Sequence, residues 1–337
     1  MLLEFDADQR LWQDTVRDAV GKHCPATLVR SVAEDGADPL PLWKVYADAG
    51  WTELTDPENA VELAIVLEEL GRATDPTPYL ATLTQFAPLV GERFDPLRSG
   101  AAVYGGVSAI RDAEGWVLTG TDRFVLDGDR AERLAVVTAA GVFLVDADDV
   151  TSRRVDVFDP VLHVAEVSLV GVHVADTERL PVDAERARHV ALMGMSITMV
   201  GACQRILDLA LEHAKSRQQF GVAIGTFQAI QHKAADMHVA IERARALAYF
   251  SALTIAADDP RRRLAAAMAK AAAGECQALV FRHGLQMFGA MGFTWENDLQ
   301  FWLKRGRVAG RMLGTPREHR ERVADLSGLG AGEAVPA

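Results

Sequence analysis

Apolar residues over about the first 90 positions recur at the three- and four-residue spacing of an amphipathic helix. This pattern predicts helices over residues 5–20, 42–49 and 61–70, because the spacing places apolar side chains on one helix face. Gly71 follows the third segment directly and is predicted to end it, since glycine is favoured at helix C-termini. The first zone of the chain is therefore predicted to be all-helical.

Between about residues 101 and 174 the pattern changes to short β-branched runs separated by turn residues. Runs over 115–120, 134–137, 142–145 and 164–170 predict strands, and their spacing favours a compact antiparallel β-domain. Asp127-Gly128 is predicted to form a hairpin turn in this zone.

Helical periodicity returns in three long stretches over 184–215, 226–257 and 261–288, with breaks at 220–221 and 258–260. Long helices joined by short connections favour antiparallel packing in a bundle. We therefore predict an α+β multidomain protein: a helical domain over 1–97, an antiparallel β-domain over 98–180, and a long-helix four-helix bundle over 181–327. The Gly/Ala/Pro-rich segment 328–337 is predicted to be a disordered tail.

Composition excludes several classes of protein. The net charge of −12 disfavours general nucleic-acid binding. Cys24, Cys203 and Cys276 lack the spacing of a zinc site or a disulfide framework, so we predict no metal and three buried thiols. No apolar run approaches the roughly 20 residues of a membrane span, and the N-terminus lacks a secretory signal. The protein is predicted to be cytoplasmic.

The first candidate site lies between two of the long helical stretches. Arg217 ends one stretch, Phe220-Gly221 forms the corner, and Gln228 begins the next. A cation and an aromatic ring beside free helix-terminal N–H groups suit a pyrophosphate next to a flat heterocycle. The alternative is a helical hairpin in which Phe220 is a core residue and Arg217 neutralises a helix C-terminus. The residues alone leave both interpretations open.

This stretch resembles the signature of the acyl-CoA dehydrogenase family, R-x-x-F-G-x-x-I-x-x-x-Q-x-x-x-x-x-x-A-x-M. The matching residues are Arg217, Phe220, Gly221, Ile224, Gln228, Ala235 and Met237. The resemblance implies the acyl-CoA dehydrogenase fold, with FAD as the cofactor and an acyl-CoA as the substrate. It also implies that Arg217, Phe220 and Gln228 contact the FAD of a neighbouring subunit.

A second cluster over residues 286–300 is similar to the family's Q-x-x-G-G-x-G-(Y/F)-x-x-E-x-P segment. Gln286 and Gly289 match positions at the FAD pyrophosphate of the adjoining subunit, while Ala290 replaces the second glycine. The run Gly-Phe-Thr-Trp-Glu also resembles an actinobacterial subset, some members of which act on CoA thioesters of sterol side chains. An ordinary glycine-rich helix end is the alternative interpretation.

The chain departs from the family where the catalytic base should be. In the family a Glu carboxylate abstracts the α-proton while the β-hydride passes to the flavin. The Glu of the family's Y-E-G-T segment corresponds to Leu313 in M-L-G-T, and a known alternative position corresponds to Ala191. We therefore predict no catalytic residue in this chain. Glu185, Glu275 and Glu318 could be recruited, but exposed or ion-paired carboxylates are the commoner case.

The predicted β-domain departs from the family as well. The family's T-E-x-x-x-G-S-D loop meets flavin and substrate, whereas residues 101–109 here run almost directly into Gly115-Trp116. In the following strand Phe124 can still stack on a flavin, but Leu126 replaces the hydroxyl that would bond to it. The residues that serve a subunit's own flavin are thus depleted.

Residues that serve a neighbour's flavin are retained, and this asymmetry is typical of a non-catalytic partner. We predict a subunit that lacks the catalytic Glu and completes the FAD site of a homologous dehydrogenase subunit. An electron-transfer flavoprotein is the family's default acceptor. Two alternatives stay open: a self-sufficient homo-oligomer with a displaced base such as Glu185 or Glu275, and a non-enzymatic scaffold. Retention of the polar and aromatic set argues against the scaffold.

Overall fold

The computed structural model describes residues 4–329, so residues 330–337 of the predicted tail lie outside the described part of the chain. Two compact units are present. The first contains the described residues up to Asp35, Pro57–Asp75 and the residues from Leu192 onward. The second contains Gly36–Asp56 and Pro76–Ala191. The predicted order of helical, β and helical zones is confirmed, while the domain boundaries stay a prediction.

The N-terminal zone is helical, as predicted. Its helices are α1 Ala7–His23, α2 Ala26–Asp35, α3 Leu40–Asp48, α4 Ala60–Ala73, α5 Tyr79–Ala81 and α6 Ala87–Val90, with a π-helical turn at Thr82–Phe86 between the last two. Asp6 begins α1 with a capping box, in which its carboxylate accepts the Gln9 N–H at 2.9 Å.

The prediction that Gly71 ends its helix is wrong, because α4 continues to Ala73 and ends at Thr74, which has a left-handed backbone with φ 55°. Gly71 instead allows close packing of α4. A Cβ on Gly71 would lie 2.2 Å from the carbonyl oxygen of Thr198, and a Cβ on Gly201 would lie 2.0 Å from that of Glu68. Glycine is therefore required where these two backbones meet.

The strands of the second unit form two four-stranded sheets. They are β1 Gly100–Val103, β2 Val107–Arg111, β3 Trp116–Leu126, β4 Arg133–Thr138, β5 Gly141–Asp146, β6 Thr151–Arg154, β7 Val164–Val174 and β8 Arg179–Leu180. The sheet orders are β1-β4-β5-β8 and β2-β3-β7-β6. Val103, Leu118, Phe143 and Val167 belong to one buried cluster that includes residues of both sheets.

The predicted antiparallel β-domain is confirmed with one exception, and the predicted hairpin turn at Asp127-Gly128 is wrong. The pair β1 and β4 is parallel, although every other strand pair of the two sheets is antiparallel. Asp127-Gly128 is a turn but not a hairpin, because β3 pairs with β2 and β7 and not with the next strand. The turn carries the chain from one sheet to the other, and Asp127 has φ 57° there.

The C-terminal zone consists of long helices joined by short connections. They are α7 Ala184–Ser216, α8 Gln228–Ala256, α9 Arg262–Phe288, α10 Leu299–Ala309 and α11 Pro316–Leu326, with the short strands β9 Gln218–Gln219 and β10 Val222–Ala223 between α7 and α8. Helix α9 packs against α8, α10 and α11. Gly274 of α9 leaves room for Pro316, whose Cγ would lie 2.4 Å from an added Cβ.

Two long helical segments, Ala184–Ser216 and Arg262–Phe293, are long and apolar enough to cross a membrane by length and composition. In their most apolar windows 83% and 67% of the residues are buried within the molecule, which is typical of core helices. The three cysteines are buried free thiols, as predicted.

Candidate functional site

The corner between α7 and α8 is a tight β-hairpin. Gln219 pairs with Val222, which leaves Phe220 and Gly221 as the two loop residues, with φ 54° and 81°. Positive φ at both positions is the geometry of a type I′ turn. The turn holds the Phe220 ring 92% exposed, with an edge-to-face contact to Phe227 at 6.2 Å between centroids. The alternative in which Phe220 is a core residue is therefore wrong.

Arg217 and Gln228 flank this hairpin. Arg217 follows the last residue of α7, and Gln228 is the first residue of α8; both are exposed. Among residues 4–329, the Arg217 guanidinium has no carboxylate within ion-pair distance, and the Gln228 side chain makes no hydrogen bond. Helix α8 has no side-chain N-cap, and the first N–H groups of a helix have no partner within it. The corner thus presents a cation, a ring, an amide and helix-terminal donors to solvent.

The second cluster lies at the C-terminal end of α9. Gln286 is exposed in the last turn, and Gly289 caps the helix with φ 60° and ψ −139°. A Cβ on Gly289 would meet no atom within 4 Å, so the position requires glycine because of its positive φ and not because of crowding. The surface beside Gly289 is open. Ala290, in place of the family's second glycine, is also exposed.

One aromatic contact joins the two clusters, and sequence reasoning missed it. The imidazole of His213, one helical turn before Arg217, stacks on the ring of Phe288 at 4.4 Å and 13°. Burial and the positive charge of Arg217 lower the pKa of His213. The stack fixes the end of α7 against the end of α9, so Arg217 and Gly289 belong to one surface. The one-turn spacing from Arg217 is the only sequence signal for it.

Phe124 belongs to the other compact unit and is described by itself. Its ring is 73% exposed on β3, and its N–H donates to the Asp122 carboxylate at 3.1 Å. Leu126, two residues later, is buried. Only Tyr104, Gly105 and Gly106 connect β1 to β2, so the connection is too short for an extended loop.

The sequence has relatives of known class. Residues 185–327 match the family described as acyl-CoA dehydrogenase, C-terminal domain. Acyl-CoA dehydrogenase IpdE2 of Mycolicibacterium smegmatis is 32% identical over 327 residues, which cover 94% of this chain and 97% of that protein. The chain belongs to the acyl-CoA dehydrogenase family. Its members are oxidoreductases that act on the CH–CH bond of acyl-CoA thioesters and are generally FAD-dependent.

Solved structures of acyl-CoA dehydrogenases share the fold. The ChsE4–ChsE5 complex from Mycobacterium tuberculosis contains a chain with a TM-score of 0.88 and 22% identity, covering 98% of this chain and 100% of that one. A variant of the Tcur3481–Tcur3483 steroid ACAD matches with a TM-score of 0.85 and 25% identity, covering 95% of this chain and 98% of that one. These likenesses extend over nearly the whole chain.

Both positions at which an acyl-CoA dehydrogenase was expected to carry its base are apolar. Leu313 lies in the connection between α10 and α11 with φ 56°, and its carbonyl accepts a hydrogen bond from His319 Nε2 at 2.9 Å. Ala191 is fully buried in α7. Neither side chain can accept a proton.

Glu275 and Glu318 are both engaged by donor groups of this chain. Glu275 forms ion pairs with Arg243 and with Arg320, the latter at 3.2 Å. Glu318 accepts the Thr315 N–H at 2.6 Å in the α11 capping box, and this hydrogen bond lowers its pKa. The backbone donor stabilises the ionised form of Glu318 and makes its carboxylate a weaker base. Glu185 is exposed in the first turn of α7.

A buried lysine holds the connection that contains Leu313, and sequence reasoning did not identify it. Lys270 of α9 is fully buried. Its Nζ donates to the carbonyl oxygen of Gly314 at 3.0 Å and lies 3.5 Å from that of Gly310. Burial lowers the pKa of Lys270 to about 8, against an opposing effect of Glu318. A lysine within an alanine-rich helix gave no sign of this role.

The lowered pKa of Lys270 predicts a pH-dependent contribution to stability. In the unfolded chain the amine keeps its proton up to pH 10.5, but in the folded chain only up to about 8. Between these values the unfolded state binds more protons, so the free energy of unfolding rises with pH. The rise should be on the order of 3 kcal/mol and absent in Lys270→Met. Urea unfolding of both proteins across this range measures the difference, and parallel profiles would contradict the assignment.

Proposed function

We propose that this chain is the subunit without a base in a hetero-oligomeric, FAD-dependent acyl-CoA dehydrogenase. It completes the flavin site of a homologous catalytic subunit, and the substrate is an acyl-CoA thioester. The residues that face the partner's flavin are Arg217, Phe220, Gln228, Gln286 and Gly289. The observation that carries the proposal is the exposed Phe220 ring, held outward by its turn beside unpaired polar groups.

The conformation of Phe220 is costly in a single chain. A positive φ at a bulky non-glycine residue costs roughly 1–3 kcal/mol. Leaving a phenyl ring in water forgoes about 1.5–3 kcal/mol of burial. Such strain persists where a function requires it. A ring that packs against a ligand or partner regains the free energy of burial. Phe220 therefore supports a binding role for the hairpin.

The exposed groups fit the two ends of FAD. A flat isoalloxazine suits an aromatic face, and Phe220 offers one. A pyrophosphate suits an arginine without an acidic partner and a helix N-terminus, and Arg217 and α8 offer both. Gly289 lets a ligand approach the backbone at the end of α9, while Gln286 adds an amide. Bound FAD would accept the hydride from the substrate's β-carbon. The residues of this chain would hold and orient the FAD.

We propose that the base comes from the other subunit. Leu313 and Ala191 cannot take the α-proton, and Glu275 and Glu318 are held by cationic or backbone donors. The β1–β2 connection of three residues leaves little chain to cover a substrate. Phe124 keeps an exposed ring, and we include it as a stacking residue of the second unit. This chain thus lacks groups that a subunit would use on its own flavin and substrate. It keeps the exposed residues that are proposed to contact the partner's flavin.

Two relatives favour a heteromeric assembly and a steroid-derived acyl group. The ChsE4–ChsE5 structure is a complex of two unlike chains, and the Tcur3481–Tcur3483 protein is named a steroid ACAD. We propose the same class of assembly here, with a homologous subunit as the partner. The acyl group is proposed to derive from a sterol or steroid, and the acceptor to be an electron-transfer flavoprotein.

Substitution of the remaining carboxylates tests where the base resides. In the complex with the homologous subunit, Glu185→Gln and Glu275→Gln should each leave the turnover of acyl-CoA near the wild-type value. Glu321→Gln, an exposed carboxylate of α11, serves as the matched control. Loss of about 10²-fold or more in turnover for one variant alone, the scale of a missing general base, would show that this chain supplies its own base.

A further inference from the structure

The connection between the 3-10 helix Gly289–Phe293 and α10 is held weakly by its own backbone. The N–H of Thr294 donates to the Met291 carbonyl at 3.3 Å, and that of Asn297 donates to the Thr294 carbonyl at 3.4 Å. Both bonds are longer than the usual distance of about 2.9–3.0 Å. Contacts from other helices therefore decide how firmly this connection, and the flavin-facing Gly289 before it, are held.

An arginine of α2 supplies such contacts. Arg30 precedes Trp295 by 265 positions, and its guanidinium donates to the carbonyl oxygens of Trp295 and Glu296, each at 3.2 Å. It also donates to the Asp298 carboxylate at 2.6 Å. The Gln300 amide donates to the Trp295 carbonyl at 2.5 Å, which joins the connection to α10. Because a guanidinium carries five N–H donors in a planar fork, Arg30 alone joins three residues of the connection to α2.

Arg30 is itself fixed in place. Its guanidinium lies over the ring of Phe301 at 5.2 Å, and that ring is fully buried. It also pairs with Glu34 one turn later in α2. The Glu34 carboxylate accepts the indole N–H of Trp295 at 2.7 Å. The network thus closes on itself, and the conformation of the Arg30 side chain is set before any ligand binds.

The other side of the segment packs on α9. A Cβ on Gly292 would lie 2.9 Å from Leu285 Cδ1 and 3.1 Å from Phe288 Cβ. The segment is therefore held between α9 and the Arg30 network. If the network were lost, ligand binding would have to order the freed backbone, and fixing even one residue costs about a tenfold factor in affinity.

We propose that Arg30 is a positioning residue of the flavin site. It holds connection 294–298 against α2 and thereby keeps the backbone at Gly289 in the conformation that meets the partner's FAD. Within the described chain its hydrogen bonds go to Glu34 and to residues 295–298, so it acts through the connection and not by contact with FAD. This inference rests on the proposed function.

Hydrogen exchange of the chain alone tests the positioning without any cofactor. Arg30→Gln should speed amide exchange in residues 289–298 by about tenfold or more, because the local opening becomes easier. Exchange in α8 of the same unit should not change. Arg93→Gln is the matched control, because Arg93 also joins a carbonyl and a carboxylate, those of Thr177 and Glu178, in the second unit. It should leave residues 289–298 as protected as in the wild type.

Fluorescence titration of FAD into the flavin-free complex with the homologous subunit measures the consequence. Arg30→Gln should weaken FAD binding by about tenfold. Arg30→Lys keeps the charge beside Asp298 but lacks the planar fork, so it should restore part of the affinity. At saturating FAD the kcat of Arg30→Gln should equal that of the wild type, because a positioning residue takes no part in the chemistry.

The outcomes separate this inference from the proposed function. FAD affinity that stays unchanged in Arg30→Gln but falls in Arg217→Gln would overturn the role of Arg30 and leave the proposed function standing. Unchanged affinity in both variants would overturn both. Faster exchange in α8 as well as in residues 289–298, or a lowered kcat at saturating FAD, would show that Arg30 only stabilises the fold, and that too would overturn the inference.

Discussion

The Arg217→Gln substitution is expected to weaken FAD binding by the complex of this chain with its homologous partner by about 10- to 100-fold. Hydrogen bonds to charged groups contribute roughly 1.5–3 kcal/mol each, and 1.4 kcal/mol is tenfold in affinity. Arg217 has no acidic partner within the described residues, so its removal unpairs no carboxylate inside the chain. The change should appear in FAD affinity and not in folding. Fluorescence titration of FAD into the flavin-free complex measures it.

Two further variants make the result specific to this surface. Arg10→Gln removes one exposed charge from α1 and should leave the FAD affinity unchanged. Phe220→Leu keeps an apolar side chain but removes the aromatic face, so it should weaken binding less than Arg217→Gln. If the Arg217→Gln complex binds FAD as tightly as the wild type does, Arg217 is not part of the flavin site.

Gly201→Ala is expected to destabilise the first compact unit by about 3 kcal/mol, at the upper end of overpacking effects. The added methyl would lie 2.0 Å from the carbonyl oxygen of Glu68 and 3.0 Å from the backbone nitrogen of Arg72. A backbone cannot move aside as a flexible side chain does, so α4 and α7 must separate. Because Glu68 also accepts bonds from Arg245 and Tyr249, separation would disturb this buried network.

The midpoint of urea unfolding, followed by circular dichroism of the helices, should fall clearly for Gly201→Ala. Gly21→Ala is the matched control, because its Cβ meets no atom within 4 Å. Replacing a helical glycine by alanine in open space stabilises a helix by roughly 0.5–1 kcal/mol, so its midpoint should stay or rise. Equal midpoints for the two variants would mean that the helices accommodate the methyl.

Elements with a strong internal pattern could be predicted from the sequence. The bounds of the three long helices agree with those predicted from apolar periodicity to within two residues at each end, because burial of one helix face requires regularly spaced apolar residues along the chain. Pairing between distant segments produces no such local pattern. The parallel contact of β1 with β4 depends on which strands become neighbours, and Gly71 shows the same limit. Its close approach to Thr198 cannot be seen in local sequence.

The candidate site was predictable only in part for the same reason. Arg217 and Phe220 lie within one short motif, so their proximity follows from the chain itself. His213 and Phe288 are 75 positions apart, and only the packing of α7 and α9 makes them stack. Lys270 reads as an ordinary helix residue, yet its amine bonds to carbonyls of the α10–α11 connection. Contacts made by side chains from separate helices carry no sequence signature.

The most direct test of the proposed subunit role is the FAD stoichiometry, measured from visible absorbance. The chain would be purified alone and again after co-expression with a homologous dehydrogenase subunit. The proposal predicts a colourless chain on its own and one FAD for each pair of unlike subunits in the complex. A chain that alone retains one FAD per subunit would contradict it and would make this protein a self-sufficient flavoprotein.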